Sequence, residues 1–295
     1  MNVDKWLNEN TRSLKGKSIA ITGATGGLGR EICKYLLSLE AKIILVDRNP
    51  VKQADLVSQL KLIYPHAAVD CLQCDLEDVG SAIKTARTLD RLGIDVFIQN
   101  AGAYSIPRHK CETGYDNVFV INFLSSYCMI RELLPGLDKR GGRVVVVGSI
   151  AHNYSKTDLQ DIDFSTRKRA SLVYGNAKRF LMFSLYPLFK GKKSSLAVTH
   201  PGITLTGITS HYPKFIFALI KHPMKVIFMP PRIAALSVIK GIFENTNNNE
   251  WIGPAIFNVW GKPKKKLLTT CKENEAKMIQ ETAEALYLKI SSSTT

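Results

Sequence analysis

Apolar positions along this chain fall into two rhythms. Short, nearly unbroken apolar runs occur at 17–22, 42–47, 69–75, 94–100, 143–149 and 195–200. Unbroken runs suit strands buried on both faces, whereas a half-exposed strand would alternate. Between them, apolar residues recur at helical spacing. Leu28, Ile32, Tyr35, Leu36 and Leu39 predict a helix over 28–39, and similar patterns predict helices over 53–64, 81–92, 115–134 and 172–189. This strand–helix order predicts an α/β fold, a doubly wound parallel sheet with helices on both faces. After Pro201 the alternation stops. The stretch 203–232 reads as irregular or helical, followed by a helix at 232–243, a short strand at 251–257 and a polar helix at 273–290. The tail 291–295 is expected to be disordered. No linker-like composition or internal repeat divides the chain, so one domain over 1–295 is expected, with 203–232 as a segment over the binding site and 273–295 as a terminal helix and tail.

Composition narrows this picture. The chain has 295 residues, 45% of them apolar, which is ordinary for a globular protein. No run of eighteen uncharged apolar residues suggests a membrane span, and the polar first seventeen residues lack the apolar core of a secretory signal. Six cysteines are too few for a disulfide scaffold and fit a reducing, cytoplasmic compartment. Cys71 and Cys74 form a CxxC inside a strand-like run, where positions three apart face opposite sides. They read as buried strand thiols, and no metal site is expected. The net charge of +15 points to an acidic partner: nucleic acid, an anionic lipid surface or an anionic ligand. The basic residues are scattered except at 262–266, "KPKKK", which reads as a solvated turn. No nucleic-acid recognition motif accompanies them, so nucleic acid is not the expected partner.

The chemistry starts at "ITGATGGLGREI", residues 21–32. Three glycines, Gly23, Gly27 and Gly29, stand where a strand turns into a helix. A helix N-terminus offers free N–H groups and the positive end of its dipole, and close approach of a phosphate favours residues without a Cβ. The junction is therefore expected to hold a pyrophosphate. The next strand ends in Asp47, about twenty residues on, a position suited to accepting hydrogen bonds from ribose hydroxyls and to repelling a 2′-phosphate. Arg48 follows directly and argues the other way. Asp47 is given the greater weight, so NAD is expected over NADP. Asp75 ends the third strand and is expected within reach of an adenine ring.

Two further residues lie four apart on one predicted helix, Tyr174 and Lys178 in "VYGNAK". A phenol titrating near 10 is a poor acid–base at neutral pH, and a neighbouring ammonium would lower that value. Ser149 closes the run "VVVVGS", at the strand end where ligands sit in open α/β sheets. A hydroxyl there suits an alcohol or carbonyl oxygen.

Together these residues resemble the short-chain dehydrogenase/reductase family. The resemblance runs over about 15–210 through Thr22-Gly23-x-x-x-Gly27-Leu28-Gly29, Asp75-Leu76, Asn100-Ala101-Gly102, Asn122, Ser149, Tyr174-x-x-x-Lys178, Pro201-Gly202 and Thr206. It implies a Rossmann-type domain, an NAD(P) cofactor and a common dimeric or tetrameric state. It further implies Tyr174 as general acid–base, Lys178 lowering its pKa and binding the nicotinamide ribose, Ser149 orienting the substrate oxygen, and Asn122 holding a water beside Lys178. Asn100-Ala101-Gly102 would lie beneath the cofactor, and Pro201-Gly202 with Thr206 would line the nicotinamide.

The 24 residues between Ser149 and Tyr174, which contain "DIDF", are similar to the retinol dehydrogenase-like branch, which acts on lipophilic alcohols and carbonyls. Asp47 departs from the basic signature of that branch's NADP users. The expected function is hydride transfer between nicotinamide and an alcohol/carbonyl pair of steroid, retinoid or fatty type. The alternative is a non-catalytic dinucleotide sensor or scaffold on the same fold. In 212–232, two apolar patches ringed by Lys214, Lys221, Lys225 and Arg232 suit a substrate lid that also touches an anionic membrane.

Overall fold

The computed structural model describes residues 1–204 and 228–292. Residues 205–227 and 293–295 lie outside them. Thr206, most of the 203–232 segment with its membrane-contact reading, and the end of the tail expected to be disordered therefore fall outside the described residues.

Eight strands form one sheet in the order β3-β2-β1-β4-β5-β6-β7-β8. They are β1 Ser18–Thr22, β2 Lys42–Asp47, β3 Val69–Gln73, β4 Val96–Gln99, β5 Arg143–Val147, β6 Ser195–Thr199, β7 Glu250–Ile256 and β8 Trp260–Leu267. The first seven run parallel, and β8 returns antiparallel to β7. From β1 the chain builds outward to β3, then crosses back to place β4 on the other side of β1. The C-terminal ends of β1 and β4 thus flank a topological switch point, where such sheets bind ligands.

The apolar runs of β1, β2, β4, β5 and β6 are unbroken because each of these strands feeds two cores, whereas β3, expected to be buried, is a half-exposed edge strand. Ile19, Ile21, Ile43, Leu45, Ile98 and Val145 point into one layer, with helices α1 (Val3–Asn10), α2 (Gly27–Ser38), α3 (Pro50–Ile63) and α7 (Pro231–Phe243). Ala20, Ile44, Val46, Phe97, Val144 and Val146 point into the other, with α4 (Val79–Arg91), α5 (Asn117–Arg140), α6 (Ala170–Ser184) and α8 (Glu273–Ser291). Helix α5 is long and apolar enough to cross a bilayer, but it lies buried in the second layer. Its residues Val120–Leu124 form a π-helical turn. Helix α6 stops at Ser184, short of the expected 189. Pro187 lacks the N–H that would continue the ladder, and a separate turn covers Tyr186–Phe189.

Two expectations need correction. The lysine run is not a turn: Lys262 to Lys266 belong to β8, the sheet edge. Lysines and Pro263 suit an edge strand, which must not recruit another strand. Cys71 is exposed on edge strand β3, and Cys74 is buried just beyond it, so only one of the two is a buried thiol.

Candidate active site

The site lies across the C-terminal ends of β1, β2, β4, β5 and β6. A single cavity of about 880 Å³ runs from the glycine junction to Tyr174. Gly23, Gly27, Leu28, Gly29, Asp47, Arg48, Asp75, Leu76, Asn100, Ala101, Gly102, Ser149, Tyr174, Lys178, Pro201 and Gly202 all line it. Two expected site residues sit behind that wall. Thr22 is buried beneath the loop, its Oγ accepting the N–H groups of Asn100 and Ala101, each at 3.1 Å. Asn122 is fully buried in the π turn of α5.

The glycines are required by contact. Gly23 has φ +67°, and a Cβ on it would fall 2.8 Å from the Ala101 Cα. A Cβ on Gly29 would fall 2.2 Å from the Gly23 carbonyl oxygen. The loop is thereby pressed onto 100–102, and Asn100 Nδ2 fastens it by donating to the carbonyls of Thr22 and Gly23, each at 3.0 Å. No side chain caps the N-terminus of α2. Its first-turn N–H groups remain available to an anion at the end of a slot wide enough for a dinucleotide. These residues fit a nicotinamide dinucleotide.

At the far end of the loop, Asp47 accepts from Thr25 twice, from Oγ1 at 3.0 Å and from the backbone N–H at 3.3 Å. Burial pushes its carboxyl above the usual range, and the two Thr25 bonds oppose that rise.

At the chemical end, Ser149 leaves β5 and opens the short turn Ile150–Tyr154, its Oγ accepting from Ala151 N–H at 3.2 Å. The hydroxyl shares the cavity wall with the Tyr174 phenol and lowers its pKa. Tyr104 packs edge-on against Tyr174 with ring centres 5.3 Å apart. Lys178 lies one turn along α6. Its ammonium donates to the Val147 carbonyl at 2.9 Å and stands 5.8 Å from the Tyr174 ring centre. Gly102 is where these groups converge: a Cβ there would come 2.7 Å from Asn122 Oδ1 and 3.5 Å from Lys178 Nζ. Asn122 is fully engaged with Ala103, accepting from its N–H at 3.1 Å and donating to its carbonyl at 2.8 Å.

The electrostatics differ from the expectation drawn from spacing alone. Burial pushes the Tyr174 phenol up to about 12, and the Ser149 hydroxyl pulls the other way. Lys178 is not among the groups that shift it, and burial drives the lysine itself down to about 7. An amine losing its charge near neutrality is a weak electrostatic partner.

Glu77, Tyr104 and Ile106 line the cavity without having been singled out from the sequence, and Phe228 lines it from the 203–232 segment expected over the binding site. Behind Ser149, buried His152 holds the serine's carbonyl at 2.5 Å through Nδ1 and Thr270 Oγ1 at 2.7 Å through Nε2. Arg179, next to Lys178, is buried and pairs with Glu275 of α8 through two bonds of 2.7 and 2.6 Å. Arg179 and Glu275 are almost a hundred positions apart, which no local spacing reveals.

A family model described as short chain dehydrogenase matches residues 17–160. The chain is 27% identical over 203 residues to the polyprenol dehydrogenase of Homo sapiens, covering 65% of this chain and 62% of that protein. It is 29% identical over 220 residues to retinol dehydrogenase 14 of Homo sapiens, covering 67% and 65%. The chain thus spans just under two thirds of the length of these two relatives. A crystal structure of a putative uncharacterized protein from Mycobacterium paratuberculosis has the same fold, with a TM-score of 0.71 at 22% identity over 95% of both chains. Over residues 17–160, just under half of the chain, the likeness is to the short chain dehydrogenase family, and the sheet order and glycine junction agree with that fold.

Proposed function

We propose that this chain is an NAD(P)-dependent oxidoreductase that interconverts an alcohol and a carbonyl compound, with Tyr174 as the acid–base. The carrying observation is one cavity that Ser149 and Tyr174 line together with the glycine junction. The nicotinamide supplies or takes the hydride when the cofactor is bound. Gly23, Gly27 and Gly29 let the backbone approach the pyrophosphate, and Asp47 meets the adenosine ribose. Ser149 holds the substrate oxygen beside Tyr174. The phenol donates its proton to that oxygen during carbonyl reduction and recovers one during alcohol oxidation. Lys178, fixed between Val147 and the Gly102 approach, suits holding the nicotinamide ribose.

The substrate side of the cavity is mostly apolar. Ala103, Ile106, Ile150, Ala151, Ile203 and Phe228 contribute to its wall. This lining supports a lipophilic substrate, as do the names of the two human relatives. The six cysteines are free thiols, in keeping with a cytoplasmic setting. The test is nicotinamide-linked turnover over a panel of steroids, retinoids, fatty aldehydes and small ketones. Turnover of a lipophilic member is expected. Nucleotide binding without turnover of any member would favour the sensor reading.

A further inference from the structure

At the adenosine end of the cavity stands a side chain with no place in the motifs, Glu77. It lines the same wall as Asp47, Arg48 and Asp75. Its Oε1 lies 3.5 Å from Arg48 Nη1, and its Oε2 lies 3.0 Å from His109 Nε2. The two members of the Arg48–Glu77 pair differ in how firmly they are held. Arg48 is 68% exposed and reaches in from solvent, whereas Glu77 is 25% exposed and held from behind.

His109 is itself oriented. Asn117 donates from Nδ2 to the Pro107 carbonyl at 3.1 Å and accepts the His109 backbone N–H at 3.4 Å. That fixes the direction of its amide. The same Nδ2 lies 3.1 Å from His109 Nδ1, which must then be the acceptor. The ring hydrogen therefore sits on Nε2 and is donated to Glu77. Asn117 donates to His109 and His109 to Glu77, while Arg48 donates to Glu77 from the other side, so both donors converge on its carboxylate.

We infer that Glu77 is a coenzyme-specificity residue: braced by His109, it occupies Arg48 and withholds that guanidinium from a 2′-phosphate. The inference rests on the cavity being a nicotinamide dinucleotide site. Arg48 is the natural partner of a 2′-phosphate, as a planar fork suited to phosphate oxygens. To reach it, a phosphate must displace Glu77 and enter a wall carrying three carboxylates, Asp47, Asp75 and Glu77. Two ribose hydroxyls meet no such charge. Asp47 is held in place by Thr25, one bond to each oxygen, which leaves further acceptor capacity on both.

Cys111 Sγ lies close enough to Glu77 and His109 for the three to suggest a metal site, with ligand atoms within 4.8 Å of one another. The orientation of Asn117 argues against it, since a metal on Nε2 would require Nδ1 to carry the hydrogen that faces the Asn117 amide.

The test is binding rather than turnover: fluorescence titration of NADH and NADPH on the wild type, Glu77→Gln, Arg48→Ala and the double variant. The wild type should favour NADH. Glu77→Gln should tighten NADPH by about tenfold, since relief of one like charge and release of one guanidinium act together. NADH should stay within about twofold, and Arg48→Ala in the Gln background should remove the gain. An unchanged NADPH/NADH ratio in folded Glu77→Gln, or a gain that survives loss of Arg48, would overturn the inference while NADH binding left the dinucleotide reading standing. Failure of the wild type to bind either nucleotide would overturn both. A wild-type ratio that shifts between EDTA and added Zn²⁺ would make the cluster a metal site and overturn the specificity role.

Discussion

Lys178 enters the fold as an amine that burial drives from 10.5 down to about 7. The unfolded chain therefore binds a proton that the folded chain gives up between about pH 7 and 10.5. Stability rises with pH across that window, because the unfolded state is the one holding more protons. Below pH 7 the charged amine is buried in the folded state and the penalty is complete. Lys178→Met should accordingly raise the melting temperature at pH 6 to 7, with the gap to wild type closing towards pH 10. A gap independent of pH would mean that the lysine is not desolvated. The same residue shows what spacing can and cannot say. Tyr174 and Lys178 share a helix face as their four-residue separation demands, but separation carries no information on depth. Depth decides the lysine's own charge, which burial makes easy to lose.

Elements were legible where their pattern was their own. Strands β1, β2, β4, β5 and β6 have apolar runs buried on both faces, so periodicity located each to within a residue or two at either end. β8 was not legible, since "WGKPKKKL" gains its strand character from pairing with β7 and from needing a polar edge. α1 is eight residues long and buries only Trp6 and Leu7, with Val3 packed partly against the same core. The network joining α6 to α8 is equally long-range. Arg179 donates to Glu275, to the His152 carbonyl at 3.1 Å and to the Thr270 carbonyl at 2.7 Å, tying the terminal helix to the turn that carries Ser149. Glu275 is held down to about 2 by this pairing, against burial. Its contribution is complete above about pH 4.5 and is lost as pH falls towards 2. Glu275→Gln should cost about 2 kcal/mol at pH 7, since hydrogen bonds to a buried guanidinium are charge-assisted. Chemical denaturation at pH 7 and at pH 2.5 checks this: the difference should shrink at the lower pH, and an equal difference at both would refute the pairing as its source.

At the scale of the molecule, the two helical layers leave one long cavity along the C-terminal edge of the sheet, and its two ends do separate work. The glycine junction, with no side chain at its closest approaches, suits binding. The Ser149–Tyr174 end suits proton transfer. Because β4 stands between the strands β1 and β5 that carry them, a change confined to the phenol should leave dinucleotide binding intact. The most direct measurement is therefore made on Tyr174→Phe, with NADH affinity by fluorescence titration and turnover of the best substrate from the carbonyl panel. The ring and its packing on Tyr104 are kept, and only the oxygen is lost. NADH affinity should stay within about twofold while kcat falls by at least 10²-fold, the usual share of a general acid–base. A variant that keeps more than about a tenth of wild-type kcat would contradict Tyr174 as the acid–base.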